Sequence, residues 1–450
     1  MTRLRVFPVE RPLRGRVEVP SDKSISHRAL IMAALAYGRS RLQRFSYGED
    51  NVKTLWALRA MGVSIEDDTL GTIVIDGVGL DGFREPNCDI DCGNSGTTMR
   101  LLCGVLSAQS FHTRMIGDDS LSGRPMRRVA DPLEKRGALI RGRKHPTKAN
   151  DITAPLDIGP LLPGKRLTEI EYKLPIASAQ VKSALLLSGL FASGPTVLSE
   201  PLLSRDHTER MLRSIGVELA TAGTSVRLDP PSNPRALQAF DIELPGDLSA
   251  AAFPLVAAAL VEGSAVTTIN TGTNPSRTGI VDAFKALGVL CVVAPRGSVL
   301  NEPLAELMVK HQALRGGLIG GEMATRAIDE IPILCALAAR AKGVTEITDV
   351  AELRVKESDR LATMAQVLRS FGVECEERPD GLRIEGQTEG PLRAAHIESH
   401  GDHRIAMTAA VLGLVADGPT EIENSDCIAT SFPNFVETLR ALGATVEVES

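Results

Sequence analysis

At 450 residues, 43% of them hydrophobic and 24% charged, the chain can fill the cores of two or three domains and has the make-up of an ordinary water-soluble globule. A formal net charge of -6 and only 3% aromatic residues exclude a non-specific nucleic-acid binder, which needs a basic field and stacking surfaces.

Six similar units follow one another. PSDKSISHRALIMAAL from Pro20 is a polar entrance into a helix apolar on nearly all sides, and LRAMGVSIE follows from Leu58. The same pair recurs as GNSGTTMRLLCGVL (Gly93) with LEKRGALIRG (Leu133), and as ASAQVKSALLLSGL (Ala177) with LRSIGVELA (Leu212). It recurs again as PGDLSAAAFPLVAAAL (Pro245) with FKALGVLCVV (Phe284), IDEIPILCALAA (Ile328) with LRSFGVECEE (Leu368), and GDHRIAMTAAVLGL (Gly401) with LRALGATVEV (Leu439). Helices apolar all round are buried. Each later phrase reads as the last turn of an amphipathic helix, a C-cap glycine (Gly62, Gly137, Gly216, Gly288, Gly372, Gly443) and an alternating strand. Asp22 or Ser21, Asn94, Ser178, Asp247, Asp329 and Asp402 are the expected N-caps. The spacing of roughly 70 to 85 residues is too long for a solenoid, so each copy is a small α/β subdomain.

A cation at a helix N-terminus is unfavourable by ~0.3 to 1 kcal/mol unless an anion joins it. Lys23, Arg28, Lys182 and Arg404 nevertheless lie near entrances, which points to bound phosphate or carboxylate. Lys23 and Ser24 share a first turn with Arg28 one turn on, and small residues at Ser95 and Gly96 open backbone NH groups to a ligand. Lys356, Glu357, Asp359 and Arg360 gather in another first turn, and Asp329 with Glu330 precedes an apolar helix where an acid beside Lys356 could accept a proton. Taken singly, each segment is equally compatible with snorkelling cations or a solvated salt-bridge cluster.

Three other motifs fail. GNSGTTMR has Thr97 where a serine-hydrolase elbow needs Gly, and GPLLPGKR puts Pro160 and Pro163 where a P-loop needs NH groups. His396, His400 and His403 would share a helical face but for Gly401, so no metal site is expected. Seven cysteines without paired spacing, several in apolar runs (Cys103, Cys291, Cys335), imply reduced thiols in the cytoplasm. The apolar stretch 248–261 falls short of the ~20 residues a spanning helix needs, and MTRLRVFPVE lacks a secretory apolar core, so no membrane partner is expected.

In order, the segments SDKSISHRA, GNSGTTMR, LSGRPMRR, ASAQVKSA, SRDHTERM, IDEIPIL, ELRVKESDR, DHRIAM and IATSFPNF strongly resemble, over almost the full chain, the 5-enolpyruvylshikimate-3-phosphate synthase family of 3-phosphoshikimate 1-carboxyvinyltransferases. The resemblance implies a two-domain inside-out α/β barrel, three βαβαββ repeats per domain, joined by a two-strand hinge near Pro20 and Pro245. Residues 1–20 and 243–450 would form the discontinuous lower domain, on the phosphoenolpyruvate side, and residues 21–242 the upper, shikimate-phosphate side. The implied activity moves the enolpyruvyl group of phosphoenolpyruvate to the 5-hydroxyl of shikimate 3-phosphate and releases phosphate through a tetrahedral ketal. It serves chorismate and aromatic amino acid biosynthesis, uses no cofactor or metal, and implies a monomer whose partners are those two anions.

By the same resemblance Lys23, Ser24, Arg28, Ser178, Ala179, Gln180 and Arg205, with Asp329 and Lys356, contact shikimate 3-phosphate. Lys23, Gly96, Arg124, Gln180, Arg360 and Arg404 hold phosphoenolpyruvate, its carboxylate on the two later arginines. Asp329 is the implied acceptor of the 5-hydroxyl proton, Glu357 the acid that handles the methylene proton, and Lys23 shares either. Thr430 stands where some members carry Lys, and Ala179 where some carry Ser. Gly96 implies sensitivity to glyphosate, which occupies the phosphoenolpyruvate site and is excluded where Ala replaces this residue. UDP-N-acetylglucosamine enolpyruvyl transfer is the alternative within the fold, but it usually uses a loop Cys that DDSLSGRPMRR lacks. An RNA-end cyclase would need an ATP site, and a non-catalytic anion-binding repeat protein is the alternative from another class.

Overall fold

The computed structural model of the chain describes residues 2–449. The six Ala/Leu-rich segments are helices, Lys23–Leu35, Gly96–Leu106, Ala179–Gly189, Leu248–Leu260, Ile331–Ala339 and His403–Gly413, termed below the first to sixth buried helix. Having no polar face, they are covered along their length, and every residue of the fourth and fifth is buried.

A second helix follows each one: Glu49–Ala60, Arg127–Lys135, His207–Ser214, Gly279–Ala286, Arg360–Ser370 and Phe435–Ala441. The repeat glycines lie one place beyond the cap residues of these helices, and in all six φ is between +85° and +108°. A Cβ is disfavoured in that left-handed conformation, so glycine lets the chain reverse into the next strand.

Strand pairing repeats with the helices. Among the described residues there are six four-stranded sheets; in each, the strand after a buried helix has a parallel partner, which in the second, third, fifth and sixth copies is the strand before that same helix, and two further strands complete the sheet. In the second copy Ile90 faces Met115 in parallel, while Met115 faces Leu156 and Ile140 faces Ile158 in antiparallel register. Each copy is therefore a βαβαββ repeat. Three copies take a strand from a distant part of the chain. Asp241–Glu243 pairs beside Tyr37–Gln43, Arg14–Glu18 beside Ala265–Gly272, and Arg3–Val6 between Thr420–Glu423 and Val446–Glu449.

The chain divides into two compact units of three copies each. One comprises the chain up to Asp22, Pro245–Ser298 and the chain from Pro303 onward; the other is Lys23–Leu244 with the short segment Val299–Glu302. Each has its own apolar cluster, in which its three buried helices meet. Strands such as Arg14–Glu18 and Cys291–Val299 stay largely exposed, so helices lie inside and sheets outside. Among the described residues, no helix is long and apolar enough to cross a membrane.

Candidate active site

In the unit Lys23–Leu244 the polar entrances of the three buried helices are tied together by side chains. Lys23, in the first turn of its helix, pairs with Asp50 at 3.0 Å. Arg28 is buried: its Nε donates to Thr208 at 2.7 Å, Nη2 to Ser183 at 2.7 Å and Nη1 to the Ser24 carbonyl at 2.9 Å. It thus joins the first and third buried helices. Gln180 joins the second and third, donating to Thr97 at 3.0 Å and accepting from Arg100 at 2.5 Å.

The second entrance differs from expectation in its cap. Ser95 caps the helix, its side chain accepting from Thr98 N at 3.1 Å. Asn94, the expected cap, instead accepts from Arg124 Nη2 at 2.5 Å, which places the guanidinium over Gly96. A Cβ built on Gly96 would lie 3.1 Å from Arg100 Nη1 and 3.3 Å from Arg124 Nη1, so a larger residue would push both guanidiniums back from this entrance.

The third entrance corrects a second expectation. Lys182 finds its anions within the protein: it is fully buried and pairs with Glu200 and Glu209, each at 2.8 Å. Burial pushes the Glu209 carboxyl upward against the pull of Lys182. Two carboxylates thus supply the relief that a cation at a helix start needs. Glu200 also accepts from Ser178 N at 3.3 Å and from Ser204 Oγ at 2.5 Å, so it braces both the Ser178–Gln180 turn and the residue before Arg205. Ser178 stands at the cap position without a side-chain cap bond. Ala179 begins the helix, and Arg205 is partly exposed.

In the other unit the charged groups converge on Arg360. Its side chain is 1% exposed, with Nε 2.8 Å from Asp402, Nη2 2.7 Å from Glu357 and Nη1 3.7 Å from Asp329. Burial would lower the pKa of this guanidinium, but Asp402 and Glu357 outweigh it and hold the charge firmly. Asp402 caps the sixth buried helix by accepting from Arg404 N at 3.0 Å. Burial pushes Asp402 up, yet Arg360 keeps its pKa below the ordinary value. Arg404 Nη1 donates to the Asp329 carbonyl at 2.8 Å, a neutral acceptor. Lys356 follows a short helical turn, and burial lowers its pKa against the attraction of Asp329.

Asp329 is not the cap of the fifth buried helix. Glu330 occupies that position, and the Asp329 carboxyl is directed toward Arg360 instead. Thr430 ends a short helical turn in this unit. His396 lies in a strand, His400 in a left-handed turn and His403 at a helix start, so the three never share a face. Sequence reasoning missed Asp50, Arg100, Glu200 and Glu209, because their partners lie from 18 to 80 residues away and no local pattern marks such pairs.

Residues 9–439 match the EPSP synthase (3-phosphoshikimate 1-carboxyvinyltransferase) family. A 3-phosphoshikimate 1-carboxyvinyltransferase of Geobacter sulfurreducens is 48% identical over 429 residues, covering 95% of this chain and 96% of that protein. One from Alkalilimnicola ehrlichii is 47% identical over 425 residues, covering 94% and 92%. The solved EPSP synthase from Acinetobacter baumannii matches with a TM-score of 0.88 at 42% identity, covering 100% of both chains. The enolpyruvyl transferase NikO from Streptomyces tendae shares the fold, with a TM-score of 0.76 at 20% identity over 100% of this chain and 99% of that one. Nearly full-length agreement, with six βαβαββ copies and cation-rich helix entrances, has one reading: the chain belongs to the EPSP synthase family.

Proposed function

We infer that the chain is a 3-phosphoshikimate 1-carboxyvinyltransferase, transferring the enolpyruvyl group of phosphoenolpyruvate to the 5-hydroxyl of shikimate 3-phosphate in aromatic amino acid biosynthesis. The observation that carries the assignment of roles is Asp329, whose carboxyl faces Arg360 and whose carbonyl is held by Arg404. A carboxylate fixed this way at a helix entrance, beside Lys356, can accept the proton of an attacking hydroxyl. As that oxygen bonds to C2 of phosphoenolpyruvate, C3 gains a proton and becomes a methyl group, giving the tetrahedral ketal. Loss of a methyl proton then restores the methylene as phosphate leaves. Glu357, next to Arg360, handles this carbon-bound proton, and Lys23 assists by stabilising phosphate charge.

Shikimate 3-phosphate takes Lys23, Ser24, Arg28, the Ser178–Gln180 turn and Arg205, with Asp329 and Lys356 at its reacting end. Phosphoenolpyruvate takes Lys23, Gly96, Arg124, Gln180, Arg360 and Arg404. Arg360 is already matched by carboxylates, so Arg404, with its neutral partner, is the stronger carboxylate ligand. The enzyme works as a cytoplasmic monomer on these two small anions. Incubation with phosphoenolpyruvate and each acceptor is expected to release phosphate with shikimate 3-phosphate; release only with UDP-N-acetylglucosamine would overturn the assignment.

Glyphosate is expected to inhibit the parent competitively with phosphoenolpyruvate. Gly96→Ala brings a methyl within about 3 Å of two guanidinium nitrogens, a spacing tighter than ordinary van der Waals contact. The variant should show a raised KM for phosphoenolpyruvate and weaker inhibition; a variant as sensitive as the parent would show that the inhibitor lies elsewhere.

A further inference from the structure

Arg277 belongs to none of the motifs that mark the site, yet it is 3% exposed and lies at the centre of a buried charged knot. Nη1 donates to Asp22 at 2.5 Å; Nη2 donates to Ser249 Oγ at 2.5 Å and Asp247 at 3.2 Å, with Glu330 at 3.4 Å. Ser249 Oγ in turn donates to Glu330. The loop carrying the arginine is itself closed, because Asn274 accepts from Ser276 N at 2.9 Å and its carbonyl from Arg277 N at 2.8 Å. Burial disfavours the guanidinium charge, and Asp22, Asp247 and Glu330 more than restore it.

A buried ion cluster gains little stability over apolar packing of the same volume, so its contribution is sought in geometry. Each anchor adjoins a residue of the proposed site or an end of the linker. Asp22 precedes Lys23, where the chain leaves this unit; Asp247 caps the fourth buried helix just after the chain returns at Pro245; Glu330 follows Asp329. The two linker ends also bond to each other, Asp22 N to Pro245 O at 2.7 Å and Asp247 N to Pro20 O at 2.8 Å. One guanidinium therefore fastens both linker ends and the turn that carries Asp329. Arg404 holds that turn from another side.

We propose that Arg277 is a positioning residue for enolpyruvyl transfer, which fixes Asp329 through Glu330 and fixes the point from which Lys23 extends through Asp22. The proposal rests on the reading of Asp329 as proton acceptor. Because the Arg277 guanidinium is buried and engaged by Asp22, Asp247, Ser249 and Glu330, its loss should lower turnover more than binding.

The test is steady-state kinetics on full-length Arg277→Lys, which keeps the charge but loses the two-edged fork spanning Asp22, Asp247 and Ser249. The control is Leu13→Ala, a cavity in the core of the same unit beside Ser264 and Ala265, past the end of the fourth buried helix opposite its Asp247 cap. Expected is a kcat loss of about 10- to 100-fold with both KM values within about threefold, the scale of a small misplacement of a reacting group. The control should keep the parental kcat despite an equal or larger loss of thermal stability. If the lysine variant does not fold, Ser249→Ala, which removes the hydroxyl linking Arg277 to Glu330, is read against the same control. A kcat no lower than that of the control would overturn the proposal. Asp329→Asn, measured in parallel, separates the two ideas. Parental kcat there sinks the acceptor reading and this proposal with it; an inactive Asp329→Asn beside a normal Arg277→Lys sinks this proposal alone.

Discussion

Asp329→Asn is expected to lose about 10²- to 10⁴-fold in kcat, the contribution typical of a positioned general base, while both KM values stay within about threefold. The substitution preserves shape, and Arg360 keeps Asp402 and Glu357 as partners, so the fold should survive. The loss should therefore fall on the chemical step. Single-turnover measurement of ketal formation checks this directly. Parental kcat would assign the 5-hydroxyl proton to another group, and a rise in KM alone would make Asp329 a binding residue only.

Asp402→Ala is expected to have the largest effect on stability. It removes the carboxylate 2.8 Å from a fully buried guanidinium, deletes the cap of the sixth buried helix and strands Ser358 Oγ, which donates to Asp402 at 3.0 Å. Breaking a buried pair on one side costs roughly 3 to 5 kcal/mol, and Glu357 and Asp329 near Arg360 place this case toward the low end. Denaturant midpoints of the unit containing Asp402 check the figure. The pH dependence has a definite sign. Asp402 titrates below its unfolded value, so its stabilisation is fully present above about pH 4 and is lost as pH falls through the depressed folded pKa. Asp402→Asn should unfold with a weaker dependence on acid in that range. An unchanged acid limb would mean that the Arg360 pair does not set it.

The six glycines were legible because a left-handed residue after a helix is a local demand that one residue type meets best. Buried helices were legible from apolarity alone, and the caps Asp247 and Asp402 from their places before apolar runs. Where two polar neighbours compete, the sequence does not choose between them. At Asn94 and Ser95, and again at Asp329 and Glu330, the chain takes the second as cap position and turns the first toward an arginine. Those arginines lie about 30 residues along the chain, and only the tertiary fold brings them near. Lys182 misled for the same reason. Its helix-entrance position suggested an anion, and the carboxylates that satisfy it belong to the protein. Charge at an entrance marks a need for compensation without identifying its source.

The borrowed strands impose an order on synthesis. Lys23–Leu244 contains nearly all of one unit, so that unit can assemble before most of the other has been made, apart from the segment Val299–Glu302. Arg3–Val6 cannot complete its sheet until Val446–Glu449, made long after it, arrives. Arg14–Glu18 waits for Ala265–Gly272. Both strands thus remain unpaired edges while the residues between them and their partners are made, and their closure, with its long sequence separation, belongs to the slow end of folding.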